Sequence, residues 1–174
     1  MVERIMIIGG PGSGKSTLAR SLGDISGLPV VHLDRLFLQP GWTNIGTEAM
    51  SRLALEEAVK PRWILDGNYS ATWGFRVQKA DLLVFLDLPR TLRMLRIRWR
   101  LWQYRGRPRP DLKPGLPERF DPEFWDFARS WDGTKRDQAL NLIKDCHARG
   151  RPKCVILRSR RAVTWFVQEF KRSV

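Results

Sequence analysis

Five short apolar runs punctuate the chain: RIMIIG at Arg4–Gly9, VVHL at 30–33, WIL at 63–65, LLVFL at Leu82–Leu86 and CVIL at 154–157. They are rich in Val, Ile and Leu and do not alternate with polar residues. That is the pattern of strands buried on both faces of a parallel sheet. Between them the period changes to that of a helix. Residues 16–26 follow a glycine-rich turn. Residues 47–60 open at Thr47, a candidate cap, and stop before Pro61. The last segment puts Val163, Phe166, Val167 and Phe170 on one face, with Ser159 as its cap. Strands alternating with helices predict a three-layer α/β/α sandwich around a five-stranded parallel sheet with right-handed crossovers.

The interval 88–152 is longer than one crossover needs. In 91–104, Leu92, Leu95, Trp99 and Trp102 form one stripe, expected to face the core. Arg93, Arg96 and Arg100 form a second stripe beside it. A proline-rich loop with Pro108, Pro110, Pro114 and Pro117 resists helix. Asp121 and Pro122 then read as the cap and first position of a helix, with Phe120, Phe124, Phe127 and Trp131 as its core face. A further helix runs to about Gly150, a natural stop. With no repeat, low-complexity tract or linker, the expectation is one domain over 1–174, with a helical lid inserted at about 88–152.

Composition adds three constraints. A chain of 174 residues, 43% apolar, can fill one core. Two cysteines, Cys146 and Cys154, are too few for a disulfide framework and fit no zinc spacing, which favours a reducing cytoplasm. The N-terminal apolar run is too short for a leader or a membrane span, so a soluble intracellular chain is expected. The net charge of +13 points to anionic partners, and residues 90–119 hold nine Arg and one Lys against two acids.

The candidate chemistry begins at Gly9-Gly10-Pro11-Gly12-Ser13-Gly14-Lys15-Ser16-Thr17, which satisfies G-x-x-x-x-G-K-[ST] between a strand and a helix. Glycines let the chain turn its N–H groups inward around a phosphate, and the helix N-terminus adds its positive dipole. Lys15 would reach the β- and γ-phosphates of ATP, and Ser16 would take Mg²⁺. Asp66 ends the third strand, where it reads either as the Mg²⁺ carboxylate or as the start of a turn. Asp34 ends the second strand, on the side where open parallel sheets bind ligands. It reads as an acid that orients or deprotonates an acceptor hydroxyl, as an aid to Mg²⁺, or as a cap. Asp87 reads as a cap or an arginine partner, and His32 as a packed core residue. No guanine-reading Asn-Lys-x-Asp motif occurs.

The arginines admit three readings. Arg93, Arg96 and Arg100, followed by Arg105, Arg107 and Arg109, suit a lid that closes over transferring phosphates. With Trp99, Trp102 and Tyr104 they also suit a nucleic-acid surface, and a solvated face is the third reading. The shared stripe of Trp99 and Trp102 with Leu92 and Leu95 favours the lid.

These stretches together resemble the nucleoside-monophosphate-kinase-like P-loop kinases. More closely, the chain looks like the adenylate-kinase-related DNA topology modulation (FlaR-like) proteins. The likeness rests on IMIIGGPGSGKSTLAR, VVHLDRLFLQPGW, WILDGNYS, FLDLPRTLRMLRIRWR, YRGRPRPD and VILRSRRAV. It implies a sheet order of 2-3-1-4-5. It also implies ATP phosphates on Gly10, Pro11, Gly12, Ser13, Gly14, Lys15, Ser16 and Thr17, Mg²⁺ near Ser16 and Asp66, and lid arginines at Arg96 and Arg100. Two departures stand out. Adenylate kinases follow the Asp-Gly of the third strand with Phe-Pro-Arg, where this chain has Asp66-Gly67-Asn68-Tyr69. The Thr-Gly-Asp pattern after the second strand is also absent, and Asp34 resembles the substrate acid of small-metabolite kinases.

The expected function is Mg²⁺-dependent phosphoryl transfer from ATP to a nucleoside monophosphate or a small hydroxyl metabolite. Lys15, Asp34, Arg96 and Arg100 would carry catalysis, and Asp34, Arg35, Trp42 and Arg76 would contact the acceptor. The alternative is a nucleic-acid-binding or regulatory P-loop ATPase. The sequence leaves the oligomeric state open.

Overall fold

In the computed structural model, which describes residues 2–107 and 116–174, the first apolar run becomes the central strand β1 (Arg4–Gly9). It pairs in parallel with β5 (Trp63–Asp66) on one side and β6 (Leu82–Leu86) on the other. β2 (Val30–His32) flanks β5, and β7 (Lys153–Leu157) flanks β6. The order is β2-β5-β1-β6-β7. Counted among these five strands alone it is 2-3-1-4-5. Two strands were not anticipated. β3 (Leu38–Gln39) and β4 (Thr43–Asn44) form a small antiparallel hairpin, and pairs of residues are too short to show a period.

Alternate residues of β1 enter two separate cores. Met6 and Ile8 pack with α3 (Thr47–Ala58), α4 (Trp73–Lys79) and α7 (Thr134–Ala148). Ile5 and Ile7 pack with α1 (Lys15–Ser26) and α8 (Arg160–Ser173). This double burial is why the strands read as unbroken apolar runs. Ser159 caps α8 as expected, its Oγ accepting from the Ala162 N–H at 3.1 Å. Gly46 stands at the start of α3, so Thr47 is inside the helix rather than its cap. The second strand is one residue shorter than expected, because Leu33 opens α2 (Leu33–Phe37).

The helix α5 (Arg90–Gln103) reverses the expected orientation. Arg93 is 1% exposed, while Leu95, Trp99 and Trp102 are 62%, 61% and 70% exposed. The guanidinium goes inside because its donors find partners there. Arg93 Nε donates to Leu88 O, Nη1 to Pro11 O, and Nη2 to both oxygens of Asp132 at 2.7 and 2.8 Å. Hydrogen bonds from all three guanidinium nitrogens outweigh an apolar stripe whose burial would leave those acceptors unpaired. α6 (Pro122–Ser130) is capped by Asp121 as expected. Its aromatic face is only partly core. Trp131 is buried, but Phe120 is exposed, and Phe124 and Phe127 border a cavity. The loop prolines Pro108, Pro110 and Pro114 lie outside the described residues, as does Arg109.

Asp87, just past β6, holds the last strands together. It accepts from Arg136 Nε at 2.7 Å and Nη2 at 2.9 Å, and from Arg158 at 3.4 Å. Burial pushes its carboxyl up, but the Arg136 and Arg158 bonds and charges outweigh this and hold it below the usual range. A depressed folded-state pKa stabilises above the unfolded value and is lost as pH falls through the folded one. Asp87→Asn is therefore expected to cost about 1–2 kcal/mol near neutral pH. The deficit should vanish in strong acid. Urea unfolding at both pH values checks this, and an unchanged deficit in acid would contradict it.

Candidate active site

The site is built where β1 ends. Gly9 packs so closely on β6 that a Cβ there would sit 2.7 Å from Leu86 O. The chain then loops, with Ser13 N–H donating to Gly10 O at 3.1 Å. Gly14, at φ 94°, makes the left-handed turn into α1. Gly14 to Thr17, at the N-terminus of α1, all border the cavity described below, a position suited to anions. Lys15 arches back over its own loop, donating to Gly9 O at 3.0 Å and Gly10 O at 3.3 Å. Burial pulls its ammonium below the ordinary lysine value, against the opposing pull of Asp66 and Asp34.

Two arginines of α5 brace this loop. Arg93 reaches Pro11 O, and Arg96 Nη1 donates to Ser13 O at 2.8 Å. Arg100, one turn on, pairs with Glu118 at 3.0 Å and lies over the Phe124 ring. From the other side, Asn68 Oδ1 accepts from the Gly9 N–H at 3.1 Å. The DGNY turn is thereby tied to the phosphate loop.

Asp66 and His32 occupy paired positions at the ends of adjacent strands. His32 Nδ1 lies 2.8 Å from Asp66 Oδ2, and both side chains are buried. Asp66 Oδ1 is buried with no hydrogen-bond partner. His32 is thus buried as expected, but as one half of a polar pair. Asp34 stands in the first turn of α2 and accepts from the Tyr69 hydroxyl at 3.1 Å. Burial and the Asp34 carboxylate both push the Tyr69 phenol above its ordinary value, so it stays a donor.

A cavity of about 880 Å³ opens over these groups. Pro11 to Thr17, Asp34, Trp42, Arg96 and Arg100 all line it, which brings together most of the residues singled out in the sequence. Gly10 lies just beneath, packed against Trp131 and Arg93. Two expectations are corrected. Arg35 is exposed and is not part of the lining, since consecutive helical residues point about 100° apart and Asp34 takes the inward direction. Arg76 is fully buried behind the DGNY turn, where it donates to Gly67 O at 3.1 Å and to Asn68 O. It shapes the turn and does not reach the cavity.

Other lining residues went unnoticed in the sequence. Tyr69 and Ser70 sit in a distinctive stretch but belong to no general motif. Arg119 lies over the Trp42 ring, whose Nε1 donates to Pro117 O at 3.2 Å. Lys135 donates to Ser70 Oγ at 2.8 Å. It comes from α7, and no local pattern distinguishes it from a surface lysine.

Among the described residues, no group of three His, Cys, Asp or Glu could hold a metal. Mg²⁺ does not need one, because it takes one or two protein oxygens and completes its shell with phosphate and water. Ser16 lines the cavity and its hydroxyl fits that demand. Asp66 is not part of the lining but is buried directly behind Gly67 and Asn68, and its orphaned Oδ1 is the carboxylate oxygen left for a cation. Among the described residues no helix is long and apolar enough to cross a membrane.

No family model matches the chain. Threonine synthase-like 1 of Mus musculus is 27% identical over 104 residues, a span covering 51% of this chain and 14% of that protein. Two shikimate kinases share the fold. The enzyme from Bacteroides thetaiotaomicron superposes with a TM-score of 0.57 at 16% identity, over 99% of this chain and 98% of its own. The enzyme from Acinetobacter baumannii, solved with shikimate, gives 0.62 at 15% identity, over 99% and 93%. At these identities the shared property is the fold alone, an α/β sandwich around a five-stranded parallel sheet. The likeness to DNA topology modulation proteins stays a resemblance of sequence stretches.

Proposed function

We propose that this chain is an Mg²⁺-dependent P-loop kinase that transfers the γ-phosphoryl group of ATP to a hydroxyl of a small metabolite. The observation that carries the reading is one cavity lined by both the phosphate loop and the Asp34 carboxylate. Asp34 suits a hydroxyl, whose proton it would accept as the oxygen attacks phosphorus. It suits the phosphate of a nucleoside monophosphate less well, because two anions would meet there. The loop amides and Lys15 would hold the ATP phosphates. Mg²⁺, on Ser16 and Asp66, would neutralise charge on the β- and γ-oxygens. Arg96 and Arg100 border the cavity and would stabilise the transferring group, with 88–152 acting as a lid on a single domain.

Lys135 supports a finer point. Its partners Ser70 and Gln138 are neutral, so its charge is uncompensated by them at the cavity wall. The acceptor would then carry an anionic group as well as a hydroxyl. Lys135→Met is expected to raise the KM for the acceptor about tenfold or more with little change in kcat, the pattern of a lost charge-assisted bond that binds ground and transition states alike. Steady-state kinetics with varied acceptor checks it, and an unchanged KM would remove Lys135 from the acceptor site.

The test of the reading is ADP formation from Mg²⁺–ATP at physiological salt, across a panel of small hydroxy acids, sugars and nucleoside monophosphates. Strong stimulation by a hydroxyl compound supports it. Slow hydrolysis indifferent to every acceptor counts against it. The second reading, a nucleic-acid-binding ATPase, is favoured by the outward Trp99 and Trp102, whose rings lie 4.8 Å apart on an arginine-rich helix. It requires DNA binding that survives physiological salt and weakens on neutralising Arg105 and Arg107.

A further inference from the structure

We infer that His32 is a positioning residue: its Nδ1–H holds Asp66 Oδ2 and thereby keeps Oδ1 presented for Mg²⁺. This rests on the metal reading above and extends it to a residue outside the phosphate loop. Three observations carry it. The two side chains are 8% and 4% exposed, so the 2.8 Å contact between them is shielded from water. The second carboxylate oxygen has no partner of its own, an arrangement costly enough to call for an occupant. Both residues end their strands in register, at the sheet edge where nucleotide sites form.

The carboxylate turns about one broad torsion, which a single strong bond can fix. The nearest competing cations are Lys15 and Arg76, both close enough to act on or be acted on by the Asp66 charge. Arg76 is committed to Gly67 O and Asn68 O, and Lys15 to Gly9 O and Gly10 O. Neither donates to Asp66. The imidazole is then the group that sets the carboxylate's rotation, the role an outer hydrogen bond plays for a metal ligand.

The geometry of imidazole gives a discriminating test. An asparagine amide nitrogen can stand where Nδ1 stands, whereas a glutamine amide reaches the place of Nε2. Leucine offers no donor. The experiment titrates a non-hydrolysable ATP analogue calorimetrically into wild type, His32→Asn, His32→Gln and His32→Leu. Each is measured with excess chelator and then at a series of Mg²⁺ concentrations, and thermal unfolding monitors the fold. His32→Asn is expected to keep the Mg²⁺ dependence of wild type. His32→Gln and His32→Leu should need about 10- to 100-fold more Mg²⁺ for the same gain in affinity. Metal-free affinity should stay within about twofold, because the phosphate loop is untouched.

If all variants respond to Mg²⁺ as wild type does, His32 only packs. If Asn behaves like Leu, shape rather than the donor matters, and the inference fails. Wild-type binding indifferent to Mg²⁺, or Asp66→Asn without effect on its Mg²⁺ response, would instead overturn the metal reading beneath it.

Discussion

Lys15→Ala is expected to lower acceptor-stimulated ADP formation by about 10³-fold, some 4 kcal/mol of transition-state stabilisation. The phosphate loop supplies fixed amides from the turn into α1, but Lys15 is its mobile full charge. It rests on Gly9 O and Gly10 O, both backbone carbonyls that water can serve once the side chain is gone. Burial already disfavours its ammonium, so an arriving triphosphate replaces weak carbonyl contacts with a charge-assisted one. The loss should fall mainly on kcat, with ATP affinity reduced less. The fold should persist, since the loop is braced independently by Arg93, Arg96 and Asn68. Kinetics alongside thermal unfolding measures both. A folded Lys15→Ala protein with undiminished turnover would remove the phosphate loop from the chemistry.

Asp34→Asn should have the next largest effect, a fall in kcat of about 10²–10⁴-fold. The substitution is chosen to separate chemistry from structure. The Tyr69 hydroxyl donates to Asp34 Oδ1 at 3.1 Å, and an asparagine oxygen accepts the same bond. The turn between α2 and the DGNY segment should therefore hold, with the melting temperature nearly unchanged. What disappears is a group able to take the acceptor's proton. ATP binding without acceptor should change far less than kcat, because Asp34 is outside the phosphate loop and touches it only through its charge on Lys15. Retained turnover in a folded Asp34→Asn protein would reduce Asp34 to a tie for Tyr69.

The features legible in the sequence are those encoded in contiguous residues. The nine-residue phosphate loop is one stretch of backbone, and glycines are needed where its turn demands them. The five strands are legible because burial on both faces leaves no room for polar residues. Ser159 and Asp121 announce helix starts, since each cap bonds an amide only two or three residues away. Asp34 and Asp66 could be proposed because strand ends place their side chains at the ligand edge of the sheet.

The orientation of α5 was not legible. Its sequence shows an arginine stripe and a tryptophan stripe, but not which one turns inward. That depended on Pro11 O and Asp132, which lie 82 and 39 residues from Arg93. Arg76, expected at the acceptor, and Lys135, which no local pattern marks, were placed for the same reason. One found the carbonyls of the DGNY turn and was buried behind it, while the other was carried to the cavity wall by α7. The pairing of His32 with Asp66 spans 34 residues and exists because β2 and β5 lie side by side. The chain by itself determined the strands and the glycine-rich loop, both set by local backbone geometry and burial. Where Arg93, Arg76 and Lys135 went was decided by tertiary structure, because a buried guanidinium or ammonium goes wherever distant partners satisfy it.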